Sequence, residues 1–159
     1  MTASKRIIRQ QDVAQIPARD LVHPLNPEAR RHTRSLGDET GLTRLGIHHS
    51  IVAPGDWTTE LHAHEFCDEF VYILSGHAAL YLDEETHEVG PGDFIGLPSR
   101  RGAHTMKNTG SDPLVYLIGG ERPSFDVCDY PRIAKRAYLA QHPDARRIQF
   151  VDYDPQEKR

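Results

Sequence analysis

Three histidines and one glutamate carry the sharpest chemical signal in this 159-residue chain. His62 and His64 flank Ala63 in the stretch ELHAHEFCDEFVYILSG, Glu69 follows after four intervening residues, and His104 lies in the later stretch GDFIGLPSRRGAHTMKN. On extended chain, residues i and i+2 point to the same face, so the two imidazoles of an HxH pair can approach one ion from one side of a sheet. A carboxylate arriving where the chain turns and re-enters as EFVYIL adds a hard oxygen to two borderline nitrogens. An HxH pair taken alone also occurs as two exposed histidines with no ligand role. A second Gly- and Pro-bounded hairpin bringing His104 turns the pair into a set of three nitrogens and one oxygen. Such a set leaves positions open on a metal that prefers five or six ligands.

The elements that must position these side chains are short. From residue 42 to about residue 119 the chain runs through apolar or alternating segments, LTRLGIHHSIV, EFVYILSG, HAALYLDEE, DFIGLP and LVYLIGG. Breakers separate them at Pro54-Gly55, Ser75-Gly76, Gly90-Pro91-Gly92 and Asn108-Thr109-Gly110. Short strands at this spacing predict an all-β sandwich or barrel over residues 41–120. Residues 1–40 are polar, with Pro17, Pro24, Pro27 and a basic run at Arg30, Arg31 and Arg34, and read as an N-terminal arm. Residues 121–159 read as a short helical or irregular C-terminal extension packing on the barrel, its one candidate helix running from Tyr130 to His142.

With the motifs laid out, the chain resembles the cupin superfamily. The first motif reads Gly55, six residues, His62-Ala63-His64, four residues, Glu69, six residues, Gly76; the second reads Gly92, five residues, Pro98, five residues, His104, three residues, Asn108. The spacers before His62 and between Pro98 and His104 are each one residue longer than the usual form. The stretches SLGDETGLTRLG and GGERPSFDVCDYPR also look like a group of bacterial single-domain cupins labelled only as such or as candidate sugar-phosphate isomerases. The resemblance implies a double-stranded β-helix, or jelly-roll barrel. It implies one divalent transition-metal ion, Zn, Mn, Ni or Fe, on His62, His64, Glu69 and His104, a small-molecule ligand or substrate, and a homodimer. It leaves the reaction open, since cupins include isomerases, lyases, decarboxylases and dioxygenases. A non-catalytic binding or sensor module, or a storage protein with a vestigial site, is the alternative.

The remaining candidates are weaker signals. Arg100 and Arg101 are expected at the barrel mouth, where a guanidinium can hold a carboxylate or phosphate, although solvated loop charges look the same in sequence. Tyr72 and Tyr81, with Tyr116 and Trp57, are candidates for lining the cavity or for ordinary core. Of His48 and His49 only one can face inward. Gly76 and Gly92 suit turns with positive φ and Pro98 a strand end, all structural roles. Cys67, between His64 and Glu69, reads as a packing cysteine or a thiol near the metal.

Composition narrows the function class. With 19 Lys and Arg against 23 Asp and Glu, the net charge of -4 supplies no field that would gather nucleic acid. No window approaches the roughly 20 apolar residues of a membrane helix. The N-terminal MTASKRIIRQQDVAQ has no apolar export region, and Cys67 and Cys128 form no disulfide framework. The expectation is therefore a cytoplasmic protein.

Overall fold

The computed structural model describes residues 6–142 and 145–156. In chain order the strands are β1 (Ala18–His23), β2 (Asn26–Ser35), β3 (Leu45–Val52), β4 (Ala63–His64), β5 (Glu69–Ser75), β6 (Ala78–Leu82), β7 (Glu85–Val89), β8 (Phe94–Leu97), β9 (His104–Asn108), β10 (Leu114–Glu121), β11 (Phe125–Tyr130), β12 (Lys135–His142) and β13 (Ala145–Asp152). One short helix, α1 (Leu36–Thr40), interrupts them, its first turn capped by Ser35 and its end closed by Gly41 at φ +80°. Six strands form one antiparallel sheet in the order β1-β2-β3-β10-β5-β8. A four-stranded sheet, β13-β12-β11-β4, and a three-stranded sheet, β7-β6-β9, complete the fold. The architecture is the expected all-β jelly roll.

Alternation along the strands decides where the core ends and the cavity begins. Val71 and Ile73 on β5, Ile95 and Leu97 on β8, and Leu114 and Tyr116 on β10 join Ala78, Leu80, Val89 and Met106 of the three-stranded sheet in one apolar cluster. Ile73 is fully buried there, and its transfer from water contributes about 2 kcal/mol. Following the sheet outward, Tyr116 pairs with Ser50, Ser50 with Thr33, and Thr33 with Arg19. The same inner face thus passes from apolar to polar. The next inward row, His48 paired with Ile118 and Ile118 with Val71, leads to a third in which Gly46 pairs with Gly120 and Gly120 with Glu69.

Two expectations are corrected here. Residues 18–35, assigned to an arm, form the β1–β2 hairpin and extend the main sheet through pairing of β2 with β3. Their inward positions carry Arg19, His23, Arg31 and Thr33, so the apolar alternation by which a strand is normally read is missing. The helix expected over Tyr130–His142 is replaced by a single 3-10 turn at Pro131–Ile133 and by β12. Ala134, at φ +51°, ends that turn, and β12 then pairs with both β11 and β13. Cross-strand partners override the local preference of KRAYLAQH.

Candidate metal centre

Each of the four candidate ligands is placed by backbone pairing. His62 and His104 form a reciprocal bridge, with His62 N–H donating to the His104 carbonyl at 3.1 Å and His104 N–H to the His62 carbonyl at 2.8 Å. This ties the two motifs together at the ligand residues themselves. His64 sits on β4, opposite Cys128 of β11, and Glu69 opens β5. The turn before His104 is set by Gly102, whose φ of +84° suits glycine and whose missing Cβ leaves room for the Asp83 carboxylate. That carboxylate accepts the Ala103 N–H at 2.7 Å and fixes the start of β9.

The side chains converge on one oxygen. Glu69 Oε2 lies 3.4 Å from His104 Nε2, 3.5 Å from His64 Nε2 and 4.0 Å from His62 Nε2. It is buried and lacks a hydrogen-bond partner among the described residues, so these approaches are electrostatic and not hydrogen bonds. The reason lies on the far side of two rings. His62 Nδ1 is 2.9 Å from the Glu60 carbonyl, which can only accept, and 3.1 Å from Thr59 Oγ1. His64 Nδ1 donates to Asp126 Oδ2 at 2.5 Å, and Asp126 Oδ1 accepts the Phe66 N–H at 2.9 Å. Protons held on Nδ1 leave bare Nε2 lone pairs on His62 and His64 turned toward an anionic oxygen.

The electrostatics keep His62 and Glu69 in ligand form. Burial lowers the His62 imidazole well below its ordinary value, and the neighbouring His104 and His64 lower it further. Burial alone would raise the Glu69 carboxyl, but His104, then His64 and His62, outweigh it and hold it at about 2. For His62 and His64, lone pairs facing a carboxylate with no hydrogen between them repel unless a cation lies among them. The donor chemistry and the orphaned oxygen therefore fit a divalent ion.

A second grouping, His62, His64 and Cys128, also lies within 4.8 Å of mutual approach, as do His62, Glu69 and His104. Burial pushes the Cys128 thiol far up, so the carboxylate set is the one already deprotonated. Cys67 is a packing residue: its thiol lies against the Glu121 carbonyl at 3.2 Å, and burial pushes it up to about 12.

The centre opens into a cavity of about 540 Å³ between the six-stranded and four-stranded sheets. His62, His64 and Glu69 line it, as do His48, Arg19, Arg31 and Arg122. His49 faces the other way, half-buried. The four residues expected to touch substrate do not line it. Arg100 points out to Glu65, 2.9 Å away, from a loop residue 62% exposed at its side chain. Arg101 is likewise exposed, Tyr72 lies on the outer face of β5, and Tyr81 packs at a tilt against Trp57 with Arg132 above both rings. It is the β1–β2 hairpin, through Arg19, Leu21 and His23, that borders the cavity.

Sequence reasoning missed Asp126, Thr59 and the inward arginines. Asp126 stands 62 residues from His64, with no spacing signal connecting them. The arginines had a faint one, the i, i+2 series Arg19, Leu21, His23 and Ala29, Arg31, Thr33.

Comparison with known proteins agrees with this fold. The cupin-domain family model matches residues 48–119. A crystal structure described as that of a candidate sugar phosphate isomerase from Acidithiobacillus ferrooxidans is 38% identical, covers 93% of this chain and 92% of its own, and superposes with a TM-score of 0.86. A cupin-superfamily sugar phosphate isomerase from Silicibacter pomeroyi is 27% identical, with 89% and 90% covered and a TM-score of 0.80. Auxin-binding protein 1 of Arabidopsis thaliana is 32% identical over 72% of this chain and 63% of its own length. The chain matches between 56% and 63% of the length of its curated relatives. The chain belongs to the cupin superfamily, whose members commonly bind a divalent metal and small-molecule ligands.

Proposed function

We propose that this cupin is a metalloenzyme of isomerase or lyase type, holding one divalent ion on His62, His64, Glu69 and His104 and acting on a small polar or sugar-like molecule in the cavity. The observation that carries the reading is the buried, unpartnered Glu69 Oε2 facing three imidazole nitrogens. When bound, Zn, Mn, Ni or Fe would polarise a carbonyl or hydroxyl of the substrate. The protein's own part is orientation: Asp126 and the Glu60 carbonyl fix the rings of His64 and His62, and the apolar cluster behind Val71 and Tyr116 keeps bulk water from that side. The relative described as a sugar phosphate isomerase favours isomerisation over the oxygenase chemistry that an iron-loaded site of this type could also support.

The likeness to auxin-binding protein 1 favours a second reading, a binding module in which the ion anchors a ligand without turnover. Metal analysis of tag-free protein, followed by a screen of aldose–ketose pairs with the metal found, separates them. The enzyme reading expects about one ion per chain and turnover; tight binding with no turnover under any metal supports the module. His62→Ala combined with His104→Ala should abolish stoichiometric metal with the β-sheet circular dichroism retained. Unchanged metal content in that variant would remove the site assignment.

A further inference from the structure

The cavity is electrically divided. Apart from Glu69 at the histidine cluster, its acids are each engaged: Asp38 with Arg122 at 2.6 Å, Glu121 with the Asp68 N–H at 3.1 Å, and Asp126 with His64. On the β1–β2 side the inward residues include Arg19 and Arg31, and among the described residues no carboxylate lies within 4.0 Å of either guanidinium. Arg31 is half-buried on the concave face of β2, and its one side-chain bond among the described residues runs from Nη1 to the Thr58 carbonyl at 2.8 Å. That bond aims the guanidinium and leaves further N–H donors uncommitted. Withdrawing a guanidinium from water without an anion is costly, and a fixed planar fork is suited to an oxyanion.

Arg31 also stands next to the metal centre. It lines a smaller space of about 30 Å³ together with His62, His104 and Tyr116. The surrounding imidazoles register its charge: His23 is lowered to about 4 by burial and then by Arg31, and His48 is lowered by burial, with Arg122, Arg31 and Arg19 contributing. Both arginines lie outside residues 48–119, the segment shared with the family at large. Gly46 packs beside two of these groups, its absent Cβ 3.2 Å from Arg122 Nε and 3.3 Å from His48 Nε2.

We infer that the β1–β2 hairpin forms an oxyanion-binding pole, with Arg31 as the inner contact and Arg19 as the outer one, for a small molecule whose other end lies at the His62, Glu69 and His104 cluster. The ligand class is a compact polyol or carbonyl compound bearing a phosphate or a carboxylate. The orientation of that molecule rests on the proposed metal centre; the oxyanion contact does not.

The test is calorimetric binding to the full chain, metal-loaded and chelator-treated, using fructose 6-phosphate against fructose, gluconate against glucose, and inorganic phosphate alone. The charged member of at least one pair should bind at least about tenfold tighter than its neutral counterpart, and which pair discriminates tells phosphate from carboxylate. Arg31→Gln should erase that preference while leaving the metal content unchanged, and Arg31→Lys should restore part of it. Should Arg31→Gln fold poorly through loss of the Thr58 bond, the exposed Arg19→Gln should still weaken the charged probe by a few-fold. Equal binding of charged and neutral members in both pairs overturns the proposal, as does an undiminished preference in both Arg→Gln variants. Retained phosphate binding by metal-free protein that also fails metal analysis would leave the oxyanion pole standing and remove the metal reading.

Discussion

At the scale of single residues, the centre depends on side chains that never need touch a ligand. Asp126 fixes the proton of His64 on Nδ1, and a carboxylate behind a ligating histidine typically governs metal affinity by one to two powers of ten. Asp126→Asn should weaken metal retention roughly 10- to 100-fold in a chelator competition, with secondary structure unchanged. His23 gives a pH signature of its own. Its Nδ1 accepts the Leu25 N–H at 3.2 Å, and burial, aided by Arg31, holds its folded value near 4 against an ordinary 6.5. The folded protein thus resists a proton that the unfolded chain takes up, so this contribution is present above pH 6.5 and is lost as pH falls toward 4. Urea midpoints measured between pH 7.5 and 4 should fall less steeply for His23→Gln than for the parent protein.

At the scale of elements, glycines and one asparagine shape the space the strands enclose. A Cβ on Gly120 would lie 2.9 Å from Glu69 Cγ, so Gly120→Ala should displace the carboxylate and weaken metal titration by roughly tenfold, with a smaller effect on melting temperature. Asn108, fully buried, donates to the Val52 and Asp112 carbonyls at 2.9 Å each and accepts the Gly110 N–H at 3.0 Å. Asn108→Ala strands those groups and should cost about 3 kcal/mol of unfolding free energy, read by denaturant titration. These elements were unevenly legible. β5 and β10 announce themselves through apolar runs because both pack on a dry core. β1 and β2 do not, because their inward side chains meet a polar cavity and carry Arg and His where a strand reader looks for Val and Ile. The candidate ligands His62, His64, Glu69 and His104 could be named from sequence because they cluster in two short motifs, whereas Asp126 and Arg31 come near them only through sheet topology.

At the scale of the molecule, the six-stranded sheet carries aromatic groups on its outer side. Phe70 and Phe94 stack at 5.7 Å, Phe94 is 67% exposed, and Tyr72 and Leu74 lie exposed on the neighbouring strand. An apolar patch of this kind is suited to a second copy of the chain. We propose a homodimer through this face; Phe94→Asp should shift the light-scattering mass from two chains to one, and an unchanged mass would redirect attention to the β1 edge. No described helix is long and apolar enough to cross a membrane.

The cavity is walled by parts that lie inside and outside the cupin-domain match. Residues 48–119 bring the histidines and Glu69, whereas the hairpin at 18–35 and strands β11 to β13 enclose the remaining volume. On the proposed reading, reactivity and selectivity are encoded in separate stretches of one polypeptide. If the oxyanion pole holds, transplanting residues 18–35 between relatives should exchange their ligand preferences while the candidate metal donors stay unchanged, and unaltered preferences in such chimeras would count against it.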